Sequence, residues 1–184
     1  RKASRAHTTK GDLEELKQSA LQSVAIIGYQ HVDFFSLPDN QFDTVPLLDM
    51  VKIIDAAIEK YRPDTIFTHH HGDLNIDHQK TYEAVLTACR PMLGACVKEL
   101  YSFQIPSSTE WNFSYGHNSF SPNFFVDISD TLACKLDAMS CYTTELREFP
   151  HPRSLIALES ISKTWGSTVG MLAAEAFQLI LKTY

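Results

Sequence analysis

Apolar residues between Asp12 and Ile27 recur at three- and four-residue steps, which predicts an amphipathic helix. The same spacing returns several times along the chain, and the stretches between such segments contain short apolar runs that are typical of buried strands. The pattern therefore predicts helices that alternate with strands. The predicted helices are 12–27, 46–61, 77–89, one that follows Ser129, and 154–169, and the predicted strands are 32–35, 65–68 and 97–103.

An alternating order of helices and strands predicts an α/β fold in which helices cover both faces of a mostly parallel sheet. We therefore predict a Rossmann-like three-layer sandwich that forms a single domain over residues 1–184. No strand is predicted before the first helix, although a doubly wound sheet normally has an early strand at its centre. We accordingly expect the domain to be truncated at its N-terminus, with its first strand missing.

Residues 105–123 interrupt this alternation with a long irregular segment that contains several serines and two prolines. Loops of this length are usually functional. The segment includes Trp111 and His117. Two interpretations stay open: the segment forms a wall of the functional site, or it forms an oligomer contact.

The composition limits the classes of partner. Of the 184 residues, 44% are hydrophobic and 21% are charged, which is typical of a soluble globular protein with one core. With a formal net charge of −6, the chain lacks the clustered lysine and arginine that bind nucleic acid or anionic lipid, so we expect a small-molecule partner and no nucleic acid. No apolar run reaches the roughly 18 residues of a membrane span, and the charged N-terminal stretch does not resemble a signal peptide.

Four cysteines fall in two pairs, Cys89 with Cys96 and Cys134 with Cys141, and the members of each pair are seven residues apart. Seven residues of a helix rise about 10 Å, which is too far for both thiolates of a pair to bind one ion. We therefore expect reduced, mostly buried thiols in a cytoplasmic protein.

The segment from Thr68 to His78 holds four of the eight histidines and two aspartates, directly after the predicted strand 65–68. Imidazole nitrogen is a common zinc ligand, and a nearby carboxylate can bind the ion or orient a histidine. Because functional sites of α/β folds lie at such strand ends, this segment is a candidate metal site, with a polar loop as the alternative. A site made only of the histidines at 69–71 is less favoured, since adjacent residues of a strand point to alternate sides.

The string THHHGDLNIDHQ at residues 68–79 resembles the second signature of the LmbE/PIG-L family of zinc-dependent N-acetyl-sugar deacetylases. Further stretches that resemble the family are 37–40, 63–69, 122–128, 151–154, 165–166 and 175–178, so the resemblance covers nearly the whole chain. It implies an enzyme that hydrolyses an N-acetylated sugar, such as an N-acetylglucosamine conjugate, with a zinc-bound water. Zinc lowers the pKa of such a water and polarises the amide carbonyl, while a carboxylate base accepts the proton.

In that family, zinc is held by a histidine and an aspartate of an early His-Pro-Asp-Asp-Glu motif and by the histidine that ends the later signature. The resemblance assigns this last ligand to His78. Asp77 beside it matches an aspartate of the catalytic site whose role is to orient other groups, and Asn75 stands where some members carry a histidine that stabilises the developing charge. Histidine and carboxylate ligands would also accept other divalent ions.

The resemblance also implies contacts with substrate. His69 and Asp73 match polar positions at the strand end and are predicted, with Asn75, to bind substrate. Arg5 falls where the family often places a serine-arginine pair. His151, in the string His-Pro-Arg-Ser, matches a pocket-lining position where a histidine could stabilise the oxyanion of the reaction. Many relatives assemble into higher oligomers, so we also consider a homo-oligomer.

One feature of the family is missing. No His-Pro-Asp-Asp string occurs in this chain, and a catalytic zinc needs about three protein ligands. We therefore expect this chain alone to be inactive, with the other ligands and the base supplied from before Arg1. The alternative is a noncatalytic binding or assembly subunit of the same fold that has lost the metal motif, and a His-Pro-Asp-Asp motif encoded upstream would exclude it.

Overall fold

A computed structural model describes most of the chain, namely residues 10–113, 116 and 118–184. By its internal contacts the chain separates into two compact units. Of the described residues, unit 1 contains 10–35 and 127–174, and unit 2 contains those between 36 and 126 together with 175–184. The histidine-rich segment lies in unit 2.

Helices dominate unit 1, whereas unit 2 combines helices with a sheet. The helices of unit 1 are α1 (Lys10–Ile27), α4 (Leu132–Ser140) and α5 (Leu155–Val169). Unit 2 has α2 (Leu47–Tyr61), α3 (Ile76–Ala88), β1 (Thr65–His69), β2 (Glu99–Phe103) and the 3-10 helices Phe42–Thr44 and Thr109–Trp111. Two strands lie almost wholly in unit 2, namely β3 (Phe124–Asp127) and β4 (Ala174–Lys182).

The four strands form one open sheet in the order β1-β2-β4-β3. Strand β1 pairs with β2 in parallel, so Ile66 lies opposite Leu100, whereas β4 pairs with β2 in antiparallel orientation, so Leu181 lies opposite Leu100. The predicted α/β class is confirmed, and the sheet is mixed. The apolar pattern does not predict β4, because a run of this length fits a helix as well as a strand.

The predicted strand 32–35 is wrong, since these residues belong to no strand in the part of the chain that the structure describes. Phe34 and Phe35 are about half exposed. The Nζ atom of Lys17 lies 5.5 Å from the centre of the Phe34 ring, a cation–π contact within unit 1. A short apolar run therefore packs here without joining a sheet.

The core of unit 2 forms where α3 packs against α2 and against the sheet. Val85 and Cys89 at the end of α3 pack with Val97 and Leu100, and burial of each such side chain contributes about 2 kcal/mol. Cys96 packs against the same cluster, because the chain leaves α3 after Ala88 and folds back. The helical spacing predicted for this pair of cysteines is therefore wrong.

In unit 1, α4 contacts both α1 and α5. Ser154 is the N-cap of α5, and its hydroxyl accepts a hydrogen bond from the N–H of Ala157 at 3.1 Å. Gly170, in the left-handed conformation, is the C-cap. The helix predicted after Ser129 is α4, which starts at Leu132, and Ser129 is not its N-cap. The hydroxyl of Ser129 instead accepts the N–H of Ala173 at 3.3 Å.

All four cysteines are free thiols. Within the described ranges, every helix is too short or too polar to cross a lipid bilayer.

Candidate functional site

The histidine-rich loop connects the carboxyl end of β1 to the start of α3, at the junction that the sequence predicts. Gly72 allows this loop to approach the long irregular segment, since a Cβ atom at Gly72 would lie 2.0 Å from the main-chain oxygen of Asn118. The main-chain oxygen of Gly72 accepts a hydrogen bond from Nδ2 of Asn112 at 2.6 Å. The loop is thus fixed against two residues of the irregular segment.

Asn75, predicted to bind substrate, is the N-cap of α3. Its side-chain oxygen accepts the N–H of Asp77 at 2.9 Å, which satisfies a donor that lacks a partner within the first helical turn. The N–H of Asn75 donates in turn to Oδ1 of Asp73 at 2.8 Å. Asn75 therefore fixes the first turn of α3, on which Asp77 and His78 lie.

Asp77, predicted as a catalytic residue, is buried, and both of its carboxylate oxygens contact the main chain of a neighbouring turn. Oδ2 accepts the N–H of Asn40 at 2.5 Å, and Oδ1 accepts the N–H of Phe42 at 3.0 Å. Asn40 has a φ of 55°, in the left-handed region, and the carboxylate stabilises this uncommon turn. The observed contacts of Asp77 are those of a group that orients the protein around His78.

Asp73, predicted to bind substrate, is fully buried and contacts groups from three parts of unit 2. Oδ1 accepts hydrogen bonds from the N–H of Asn75 and from the hydroxyl of Ser108, and Oδ2 accepts the hydroxyl of Thr109 at 2.7 Å. Nδ1 of His78 lies 3.0 Å from Oδ1, an ion-pair distance at which the ring N–H is not aligned as a directed hydrogen bond. Both oxygens thus have protein partners.

The contacts of Asp73 stabilise its charged form. Burial by itself raises the pKa of this carboxyl, but His78, the two hydroxyls and the N–H of Asn75 outweigh burial and hold the pKa at about 2. Asp73 is therefore ionised at neutral pH, although its side chain has no solvent-exposed surface.

His69 and His78 stack face to face, with ring centres 4.1 Å apart and planes 1° from parallel. Burial, together with the neighbouring His78, lowers the pKa of His69 to about 4, so this imidazole is neutral at neutral pH. The Nδ1 atom of His69 is buried without a hydrogen-bond partner in the described part of the chain.

The described residues of this loop supply only part of the coordination sphere of a zinc ion. The lone pairs of an imidazole lie in its ring plane, so two parallel rings about 4 Å apart cannot direct them to one ion, and His69 and His78 do not form a pair of ligands as they stand. Within residues 10–113, 116 and 118–184, no three histidine, cysteine, aspartate or glutamate side chains come together as a metal site. The described residues therefore do not fit a complete catalytic zinc centre.

The structure brings together five of the seven predicted site residues in unit 2, namely His69, Asp73, Asn75, Asp77 and His78. Arg5 and His117 lie outside the described residues. His151 lies in unit 1, where its Nδ1 accepts the N–H of Arg153 at 3.1 Å, so its predicted pocket-lining role stays a prediction.

Three contacting residues are absent from the sequence-based prediction: Ser108, Thr109 and Asn112. They lie 35 or more positions from the groups of the loop that they contact, and no local spacing indicates such contacts. The only sequence signal for these three residues is that they lie in the long irregular segment, which is predicted to be either a site wall or an oligomer contact.

Comparisons with known proteins agree with this architecture. Residues 1–89 match the family described as PIG-L, GlcNAc-PI de-N-acetylase. The conserved protein TT1542 from Thermus thermophilus superimposes with a TM-score of 0.74 at 20% identity, over 97% of this chain and 79% of that chain. The N,N'-diacetylchitobiose deacetylase from Pyrococcus horikoshii gives 0.72 at 15% identity, over 97% and 70%. GalB, the 4-carboxy-2-hydroxymuconate hydratase from Pseudomonas putida, gives 0.70 at 17% identity, over 97% and 76%.

Fold and site together define an α/β protein with a histidine-rich loop between a strand and a helix. The family match over residues 1–89, which make up slightly less than half of the chain, confirms the resemblance predicted from THHHGDLNIDHQ. Because a deacetylase and a hydratase share the fold at less than 25% identity, the structural likeness establishes the fold alone.

Proposed function

We propose that this protein removes the acetyl group from an N-acetylated sugar or sugar conjugate by hydrolysis, with a water that a bound zinc ion would activate. The observation that carries the proposal is the family match over residues 1–89, which includes the whole histidine-rich loop. The reaction consumes one water and breaks the amide C–N bond, so it releases acetate and a free sugar amine. An N-acetylglucosamine conjugate is the substrate that the family description favours.

His78 is the zinc ligand that this chain contributes in the proposal. Asp73 lies against Nδ1 of the ring, which leaves Nε2 as the ligand atom. A carboxylate at the second nitrogen of a ligating histidine fixes the ring orientation and raises its basicity. The remaining ligands and the general base would come from outside the described residues, and another divalent ion could replace zinc.

Other predicted residues have supporting roles in the proposal. Asp77 orients the turn next to His78, and Asn75 fixes the start of α3. His69 is neutral because burial lowers its pKa to about 4, so it can exchange a hydrogen bond with an uncharged acetamide. Substrate contacts by Arg5 and His151 remain part of the proposal. We also propose cytoplasmic action as a homo-oligomer, and the four free thiols support the location.

The test is acetate release by the complete gene product, supplied with zinc, from N-acetylglucosamine, its conjugates and N,N'-diacetylchitobiose. His78→Ala is expected to lower kcat/KM by more than about 100-fold, since loss of a ligand should exceed the 10- to 100-fold effect of losing its supporting partner. His31→Ala is the matched control, because His31 is exposed and lies in unit 1.

A folded gene product that binds these sugars without releasing acetate would overturn the proposal. That result would favour the noncatalytic binding or assembly subunit of the same fold. Equal activity of the His78→Ala and wild-type proteins would instead exclude His78 as the ligand.

A further inference from the structure

The buried carboxylate of Asp73 contacts two parts of the site at once. We propose that Asp73 is a positioning residue that fixes the ring of His78 and also fastens the segment Ile105–Asn112 to the histidine-rich loop. This role replaces the substrate contact predicted for it, and it holds whether or not the proposed reaction is correct.

The burial of Asp73 supports a role inside the protein. Its side chain has no exposed surface, and an ionised carboxylate in such a place is stable only when donors surround it. Those donors come from the start of α3 and from a segment 35 residues further along the chain. One charge therefore organises two regions that are distant in sequence.

Hydrogen bonds within the segment Ile105–Asn112 hold in place the residues that contact Asp73. The hydroxyl of Thr109 accepts the N–H of Ile105 at 2.7 Å and donates to Asp73. The carboxylate of Glu110 accepts the N–H of Ser107 at 2.5 Å, and Ser107 has a φ of 69°, in the left-handed region. A non-glycine residue in that region needs support from its surroundings, and this network provides it.

A third attachment comes from Asn112, whose Nδ2 donates to the main-chain oxygen of Gly72. The segment is thus joined to consecutive residues of the loop at Gly72 and Asp73. Of the two interpretations from sequence, these attachments favour a wall of the site over an oligomer contact. Asp73 links that wall to His78, because Oδ1 faces both the hydroxyl of Ser108 and Nδ1 of His78.

The two parts of the role can be separated by mutation. Asp73→Asn removes the charge that faces His78 and weakens the contacts to the segment. The double variant Ser108→Ala/Thr109→Val removes the two hydroxyl donors to Asp73, and with the Thr109 hydroxyl also the acceptor of the Ile105 N–H, but it leaves Asp73 facing His78. Asp130→Asn is the matched control, since it makes the same chemical change at an exposed carboxylate of unit 1.

Two measurements on the full chain report the two parts of the role separately, namely the position of the His78 ring and the attachment of the segment. The ¹⁵N resonances of the His78 ring, assigned by comparison with His78→Gln, report its tautomer and surroundings. Amide hydrogen exchange of Ser108 and Thr109, whose N–H groups donate to the main-chain oxygen of Ile105, reports the attachment of the segment. Exchange at these amides is expected to accelerate by about tenfold or more in Asp73→Asn and in the double variant, because hydrogen bonds to a charged group are lost.

The ring resonances of His78 are expected to shift in Asp73→Asn and to stay at their wild-type positions in the double variant. Unchanged ring resonances and unchanged exchange in Asp73→Asn would overturn the proposal. If Asp73→Asn does not fold, the double variant still tests the proposal. Amide exchange that accelerates in α2 as much as in the segment Ile105–Asn112 would show a general loss of stability and would overturn the proposal. Where acetate release is detected, Asp73→Asn should lower kcat, whereas the double variant should mainly raise KM.

Discussion

Unit 2 contains two buried polar regions that differ in how their groups are paired. Around Asp73 and Asp77, each carboxylate oxygen accepts at least one hydrogen bond from the protein. Across the sheet, Thr68 of β1, Ser102 of β2 and Gln178 of β4 lie opposite one another in register. The side-chain oxygens of these three residues are buried and have no hydrogen-bond partner in the described part of the chain.

The paired carboxylates, and not the unpaired neutral groups, are expected to determine the stability of the site. An unpaired buried charge costs far more free energy than an unpaired buried hydroxyl, so a carboxylate at this depth must be surrounded by donors. The row of neutral groups on the sheet is tolerated without such pairing. Mutations at the two regions should therefore change stability in opposite directions.

The largest effect is expected for Asp73→Ala. This change leaves the hydroxyls of Ser108 and Thr109 buried without their acceptor and removes the charge that faces the His78 ring, so the free energy of unfolding should fall by about 3–5 kcal/mol. Urea denaturation gives the value, with Asp130→Ala as the exposed control. A loss of unfolding free energy no greater than that of Asp130→Ala would contradict a stabilising role for the hydrogen bonds of Asp73.

A smaller loss is expected for Asp77→Ala, which removes two hydrogen bonds between a carboxylate and the main chain of the turn at Asn40 and Phe42. The free energy of unfolding should fall by about 2–3 kcal/mol, because hydrogen bonds to charged groups are stronger than neutral ones. Denaturation and protection of the Phe42 amide check this. Full protection of that amide in the variant would contradict the assignment.

The pH dependence of stability should carry the signature of Asp73. Its pKa is lowered from 3.8 to about 2 in the folded chain, so the unfolded chain binds the proton more readily between these values. The stabilisation is present above pH 3.8 and is lost as the pH falls toward 2, by about 2 kcal/mol in total. Asp73→Asn should remove this part of the acid sensitivity, and an unchanged slope of stability against pH would contradict it.

The smallest effect, with a different sign, is expected for Thr68→Val. Replacing an unpaired buried hydroxyl by a methyl group of similar shape should leave stability unchanged or raise it by up to about 1 kcal/mol. The matched variant is Thr81→Val in α3, whose hydroxyl donates to the main-chain oxygen of Asp77 at 2.7 Å and whose loss should cost about 1 kcal/mol. An equal loss in both variants would mean that Thr68 has a partner outside the protein, such as a buried water.

Much of the fold follows from local pattern. The periodic apolar residues of α2 and α5 and the short apolar run of β1 predict these elements, since burial of one face is a local property of the sequence. The antiparallel strand β4 does not follow, because its continuous apolar run fits either kind of element. The run 32–35 has strand composition and still joins no strand of the described chain.

The site shows the same limit more sharply. The histidine-rich loop and its place after β1 are predictable, because composition and the end of a strand are local signals. The contact of Asp73 with Ser108 is not, since it joins positions 35 residues apart and depends on how the irregular segment folds. Stacking of His69 on His78 also depends on the loop between them, so residue type alone does not reveal it.

The most direct test of His78 as a zinc ligand is the zinc content of the complete gene product after dialysis against metal-free buffer, compared between the wild type and His78→Ala. We expect equimolar zinc in the wild type and, in the variant, a zinc affinity at least about tenfold weaker. His31→Ala should retain the wild-type content. Equal zinc content and affinity in His78→Ala and the wild type would contradict the claim that His78 is this chain's contribution to a metal site.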